Sequence, residues 1–201
     1  ITLFPYQFSD HCEADDLIGH YQYLGRVDGS YIVVTEDKDA KQTPGFLLNP
    51  RGTEVRDCSG FGGYELITKV STSKTTGKES KSYKLDGKGR AWFYYQIICG
   101  DKVDTYTPFP SYMSDLSFYN LFKDITNDSD AWALVIKLYK EHFGDISSYT
   151  DWTGKIHKGT WLDILQTYVD VVHMQRWKDD RLIVKDILIK FNLINEQGEI
   201  L

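Results

Sequence analysis

Ser82-Tyr83-Lys84-Leu85, then Asp86-Gly87-Lys88-Gly89, then the run RAWFYYQIIC over 90–99 follow one another near the middle of the chain. Two stretches rich in aromatic and branched residues flank an Asp-Gly turn, which is the pattern of a β-hairpin. Read as a strand, RAWFYYQIIC sets Trp92, Tyr94 and Gln96 on one face and Phe93, Tyr95 and Ile97 on the other. One face then joins a core and the other is left for contact.

The same device recurs upstream. A short helix is expected through DHCEADDLIGHY over 10–21, with acidic residues at its start and Gly19 limiting it. HYQYLGR, the Asp28-Gly29 turn and SYIVVTED then read as strand, turn and strand. GFLL, Asn49-Pro50-Arg51-Gly52 and TEV read likewise. YELITKV is a further strand, and STSKTTGKESKS reads as a polar loop. Its lysines belong to a longer crowd, Lys69, Lys74, Lys78, Lys81, Lys84 and Lys88, for which a solvated loop is the simplest account.

Pro108 and Pro110 mark a change of period. Beyond them Leu116, Tyr119, Leu121 and Phe122 suggest one helix. Trp132, Val135, Ile136, Tyr139 and Phe143 form the stripe of a second, capped by Ser129 and stopped at Gly144. A third starts at Thr160 with Asp163 in the capping-box position. A fourth runs from Asp180 to about Phe191, and INEQGEIL closes the chain as a strand or hairpin. The expected class is α+β: antiparallel hairpins in a strand-rich half, 1–107, packed against about four helices from a helix-rich half, 108–201. Each half has an apolar face that needs the other, so one integrated domain over 1–201 is the simplest organisation.

Composition narrows the function. The 201 residues are 41% hydrophobic and 26% charged, as globular chains are. A net charge of −6 disfavours non-specific nucleic-acid binding, where lysine and arginine neutralise phosphates. The three cysteines, Cys12, Cys58 and Cys99, fit no disulfide framework and point to reduced thiols in a cytoplasmic protein. No apolar run approaches the roughly 20 residues of a membrane helix, so no membrane partner is expected.

Two motifs bear on chemistry. Arg56-Asp57-Cys58-Ser59-Gly60-Phe61 resembles the Asp-Cys-Ser-Gly signature of NlpC/P60-type cysteine peptidases, whose cysteine opens a helix and attacks an amide carbonyl. A permuted form of that family places its histidine strand first, and Gly19-His20-Tyr21-Gln22-Tyr23-Leu24-Gly25 resembles that strand. The resemblance implies a hydrolase or acyltransferase with Cys58 as nucleophile and His20 as base. Lys84-Leu85-Asp86-Gly87-Lys88-Gly89-Arg90 resembles the nucleotidyl-transfer motif of ligases and capping enzymes, with Gly89 where that motif has its arginine. The five histidines show no zinc spacing, so neither a metal nor a cofactor is expected.

The leading expectation is a non-catalytic binding domain that recognises another protein through its aromatic residues Trp92, Tyr94, Trp152 and Trp177. The alternative is the cysteine hydrolase or acyltransferase using Cys58 and His20.

Overall fold

A computed structural model of the chain describes residues 13–103, 106–109, 113–145, 147–150 and 155–201. The expected α+β class holds, with antiparallel hairpins and six helices among the described residues. Four of those helices follow residue 108, as expected. They are α3 (Asp115–Phe122), α4 (Asp128–Phe143), α5 (Trp161–Val172) and α6 (Val184–Lys190). The other two lie in the strand-rich half: α1 (Ala14–Leu24), which overlaps the short helix expected over 10–21 and runs beyond it, and α2 (Arg90–Cys99), where a strand is expected.

Helix α2 overturns the reading of RAWFYYQIIC. Every one of its residues except Arg90 and Tyr95 is buried. A helix that is apolar all round belongs inside a core, and a strand of alternating faces does not describe it. The Asp-Gly pair before it is no hairpin turn. It lies inside β5 (Glu79–Lys88), which pairs antiparallel with β4 (Gly63–Thr72) along ten residues each. The turn of that hairpin is therefore residues 73–78, the middle of the stretch 71–82 where a loop is expected, and the other half of that stretch is strand. Gly89 makes the change of structure possible. Its φ of 71° and ψ of −159° lie in a region that only glycine occupies freely.

Helix α1 likewise replaces the strand read in HYQYLGR, so His20 is helical. Gly19 does not end α1, because it lets the helix approach the 174–175 segment closely. A Cβ at Gly19 would stand 2.9 Å from the Gln175 carbonyl oxygen. The Asp28-Gly29 turn forms, but it joins α1 to β1 (Ile32–Val34). The second hairpin forms with its second strand shifted, since TEV over 53–55 is expected and the strand begins only at Val55. β2 (Phe46–Leu48) pairs antiparallel with β3 (Val55–Asp57), and β1 adds to β2 in parallel.

The helical half also differs in detail. The cap of α4 is Asn127, whose side chain accepts from the Asp130 amide, and not Ser129. Gly144 ends α4 and the Thr160–Asp163 capping box starts α5, both as read. On α3 the buried residues are Phe118 and Phe122, while Leu121 is exposed. A two-stranded sheet of β6 (Ser147–Thr150) and β7 (Ile156–Gly159) was not foreseen. INEQGEIL closes with one antiparallel bridge, Ile194 to Ile200.

Helix α2 organises the core. Tyr94 and Trp132 of α4 meet edge to face at 5.4 Å, and Tyr139 donates to the Ile97 carbonyl at 2.6 Å. Phe118 and Phe122 stack at 4.3 Å, with Tyr64 of β4 edge-on to Phe118. Edge and offset packing of this kind adds about 0.5–1.5 kcal/mol per pair beyond burial. Amide side chains then fasten the 3₁₀ turn Asp39–Gln42 to three helices. Gln22 of α1 donates to the Ala40 and Thr43 carbonyls, Gln42 donates to Gln96 of α2 and to the Val172 carbonyl of α5, and Gln96 donates to Asp39.

Candidate functional site

The β4–β5 hairpin is the most prominent surface feature. Ten residues per strand make a ribbon about 33 Å long. Its inner end is fixed. Leu85 is buried, Tyr64 donates to the Ala91 carbonyl at 2.7 Å, and the Asp115 carboxylate takes the Leu85 amide at 2.7 Å. From Ile67 to Lys84 every residue is exposed. The two strands form a sheet of their own, so their outer edges carry no further strand among the described residues. Isolated hairpins are marginal in water, and this one is held from its base.

The ribbon is basic on an acidic chain. Residues 63–88 hold six lysines against Glu65, Glu79 and Asp86, which is +3; the rest of the chain therefore carries −9 to give the total of −6. Cross-strand pairing sorts the side chains. One face of the outer ribbon presents Ile67, Lys69 and Lys84, and the other presents Val70, Lys81 and Tyr83. Both faces thus mix apolar side chains with ammonium groups.

At the base, cations converge on one carboxylate. Lys41 and Arg56 both donate to Asp86, at 2.6 and 2.8 Å. Burial alone would raise the Asp86 pKa, but the two cations outweigh it and hold the carboxyl below its ordinary range. The Lys41 ammonium also sits 4.6 Å from the Trp92 ring centroid. Lys38 pairs with the buried Asp101 and with Asp39. Between these groups and β5 lies a cleft of about 370 Å³ lined by Lys38, Lys41, Arg56 and Lys84. A second cleft of about 530 Å³ shares Lys38 and Lys84 and is floored by Trp92 and Tyr95.

The residues expected to form a site are dispersed. Trp92 and Tyr94 are on α2 and are 3% and 0% exposed, so neither offers a face to a protein partner, and Trp92 only lines the bottom of the second cleft. Tyr94 donates to Asp128 at 2.7 Å, and its hydroxyl pKa is raised by burial first and by that carboxylate second. Trp152 lies outside the described residues. Trp177 is 45% exposed, yet it is built into a ladder of rings and cations. Tyr23 lies 5.3 Å from it, Arg176 covers it at 4.5 Å, and Arg26 covers Tyr23 at 3.5 Å. That ladder ties α1 to the 176–180 segment.

Cys58 follows β3 in an irregular segment, where the peptidase resemblance implied a helix start. It is fully buried beside Ala40 and Leu47, and burial pushes its thiol up, with the Gly89 amide and the Lys88 charge opposing. An activated thiolate needs the opposite balance. His20 spends Nδ1 on the Arg176 carbonyl at 2.6 Å. No hydrogen bond between Cys58 and a histidine occurs among the described residues.

The sequence places Lys84, Asp86 and Lys88 in the stretch that resembles a nucleotidyl-transfer motif and Arg56 beside Cys58, but it joins none of them to this cleft, and it does not single out Lys38, Lys41 or Asp101. Their spacing carries no periodic signal, since they come from a 3₁₀ turn, a strand end and a helix cap brought together in space. Comparison of the chain with family models, with curated proteins and with solved structures finds no match. The surface itself is therefore the ground for a functional reading.

Proposed function

We propose that this protein is a non-catalytic binding domain whose recognition element is the outer β4–β5 ribbon, and that its partner is an acidic segment of another protein. The observation that carries this reading is an unbroken exposed run, Ile67 to Lys84, with no further strand on its edges among the described residues and a charge opposite to that of the rest of the chain. Open strand edges accept an added strand, and lysines along them deter self-association through like charge. An acidic chain gains from the lysines, while its apolar side chains find Ile67, Val70 and Tyr83. The proposed contact is the ribbon, in place of the aromatic residues expected from sequence.

Nucleic acid fits this surface less well. Residues 63–88 contain no Arg, Asn or Gln, which leaves lysine alone among the side chains that most often read base edges. The −9 carried by the rest of the chain repels phosphates beyond the ribbon.

The test is fluorescence anisotropy with a labelled peptide of about 16 residues, alternating acidic and branched apolar side chains, and with duplex DNA of similar length. The reading expects saturable, salt-weakened binding of the peptide in the micromolar range. The double substitution Lys69→Glu, Lys81→Glu should weaken it by at least about tenfold. Tighter binding of the duplex, no binding of the peptide, or indifference to the double substitution overturns the proposal.

A further inference from the structure

We infer that the cleft between β5, the Trp92–Tyr95 side of α2, residues 100–102 and residues 113–115 is a binding site for a small organic anion, an apolar, ring-sized body bearing a carboxylate or a phosphate. The inference does not rest on the ribbon reading, although Tyr83 and Lys84 belong to both surfaces, because it concerns the inner end of β5 and a different class of ligand.

The cleft has the size of a ligand site. Its volume of about 530 Å³ falls inside the usual range for small-molecule pockets. Its floor is apolar. Trp92 and Tyr95 stack at 4.6 Å with an interplanar angle of 28°, and Leu85, Cys99 and Met113 extend the same surface. The Cys99 thiol is pushed far up by burial and stays neutral, so it contributes to the floor as a small apolar group.

The polar groups decide the sign of the ligand. Each acidic side chain that lines the cleft has both oxygens engaged by the protein. Asp115 accepts from the Leu85 amide and from the Tyr95 hydroxyl, at 2.7 and 2.9 Å. Asp101 accepts from Lys38 and, at 2.7 Å, from the Val103 amide. Gln96 is committed to Gln42 and Asp39. What remains uncommitted is donors. Lys84 lines this cleft and its neighbour with no acceptor among the described residues. The Trp92 indole N–H is buried with no acceptor. A buried donor left unpaired costs about 1–3 kcal/mol, so an acceptor that reaches it is rewarded. An ammonium and an indole N–H beside an apolar floor together ask for an oxyanion on an apolar body.

The experiment is calorimetric titration of the full chain at low ionic strength with 4-methylbenzoate, phenyl phosphate and the neutral 4-methylbenzyl alcohol. The expected result is saturable binding of at least one anion, with the alcohol weaker by about tenfold, the scale of one charge-assisted hydrogen bond. Which anion binds tighter tells carboxylate from phosphate. Lys84→Gln should weaken the anion by at least about fivefold. Lys74→Gln, at the far turn, should leave it unchanged. In a nitrogen-15 spectrum the Trp92 indole resonance should shift on binding, and Trp92→Phe should lower affinity. The idea fails if neither anion saturates below about 10 mM. Binding of the alcohol as tightly as the anions also defeats it. So does unchanged affinity in Lys84→Gln with an unmoved indole resonance, a result that needs no substitution in the core. Loss of peptide binding in the Lys69→Glu, Lys81→Glu protein leaves this titration unaffected, so the two proposals fail separately.

Discussion

Strand β5 and helix α2 are consecutive ten-residue elements joined only at Gly89, and their surroundings are opposite. Most of β5 stands in solvent, and nearly all of α2 is enclosed. One turn of backbone thus separates the part of the chain that is free to vary from the part that fixes the fold. Substitutions on the two sides of Gly89 should differ accordingly. The largest effect belongs to Tyr94, whose ring fills the core between Phe93 and Trp132 and whose hydroxyl meets Asp128. Tyr94→Ala should cost about 3–5 kcal/mol by urea unfolding, the range for emptying a buried aromatic site. A loss under about 1 kcal/mol would break the contrast, because α2 would then tolerate what only a surface element tolerates.

The joint comes next. Gly89 also anchors the base of the ribbon, since its amide donates to the Lys41 carbonyl at 2.8 Å. A Cβ there would meet the Phe61 carbonyl oxygen at 2.8 Å and the Gly60 carbonyl oxygen at 3.0 Å. Strained backbone and contact with other backbone act together, so Gly89→Ala should destabilise by about 1–3 kcal/mol. If the ribbon and the core unfold as one unit, near- and far-ultraviolet circular dichroism should report the same transition in this variant. Separate transitions would show the ribbon base loosening first.

The contrast between β5 and α2 also explains what could be read in the sequence. Elements with one wet face were legible, because a face in water imposes a period. The stripe of α4, the Thr160–Asp163 box and the β2–β3 turn all declare themselves in this way. RAWFYYQIIC has no wet face, and a continuous apolar run looks alike as buried strand or buried helix. Its ten residues exceed the usual core strand, and Gly89 stands just before it; together these favoured a helix stop-and-start over a hairpin turn. The lysine-rich stretch failed for the converse reason. With both faces wet, the outer ribbon has no alternation to reveal that it is strand. The candidate clefts were illegible for a third reason, since Lys38, Asp101 and Lys84 meet only through tertiary structure.

Acid should sharpen the comparison further. The outer ribbon is exposed, whereas the enclosed region holds His173 and Asp180. Arg176 clamps Asp180 through Nε and Nη2 at 2.6 and 2.9 Å. The His173 Nε2 lies 3.3 Å from the same carboxylate without hydrogen-bond geometry, while that Oδ2 accepts from the Arg176 amide and Nε. Burial lowers the His173 pKa from its ordinary 6.5, with Asp180 opposing and Arg176 assisting. The unfolded chain therefore binds a proton that the folded one refuses. Stability should be full above pH 6.5 and fall as the pH drops from there toward the depressed folded value. The slope should approach about 1.4 kcal/mol per pH unit. Asp180 and Asp86 are both lowered from 3.8 by their cations, after burial opposes, and add a second loss below that pH. His173→Asn should flatten the upper decline and leave the lower one. A decline that survives the substitution unchanged would assign the upper loss to another group.

The smallest effect on stability is expected on the ribbon, and there it is the decisive one. Val70 and Lys81 face each other across the strands, both exposed, far from the buried contacts of Tyr64 and Leu85. Exchanging them to Thr and Gln keeps strand propensity and removes an apolar group and a charge. The double variant should stay within about 0.5 kcal/mol of the parent, as surface changes do. Peptide binding in the anisotropy measurement should nonetheless weaken by about fivefold or more. The two readouts together separate a recognition surface from a structural one. A variant that binds as before would leave the ribbon an exposed element with no measured role. One that loses binding and several kcal/mol together would mean that the outer ribbon is held by the body more firmly than its exposure allows. Only the dissociation of the two, with stability kept and binding lost, fits an element that hangs from a rigid core by Gly89 and presents its lysines to an acidic partner.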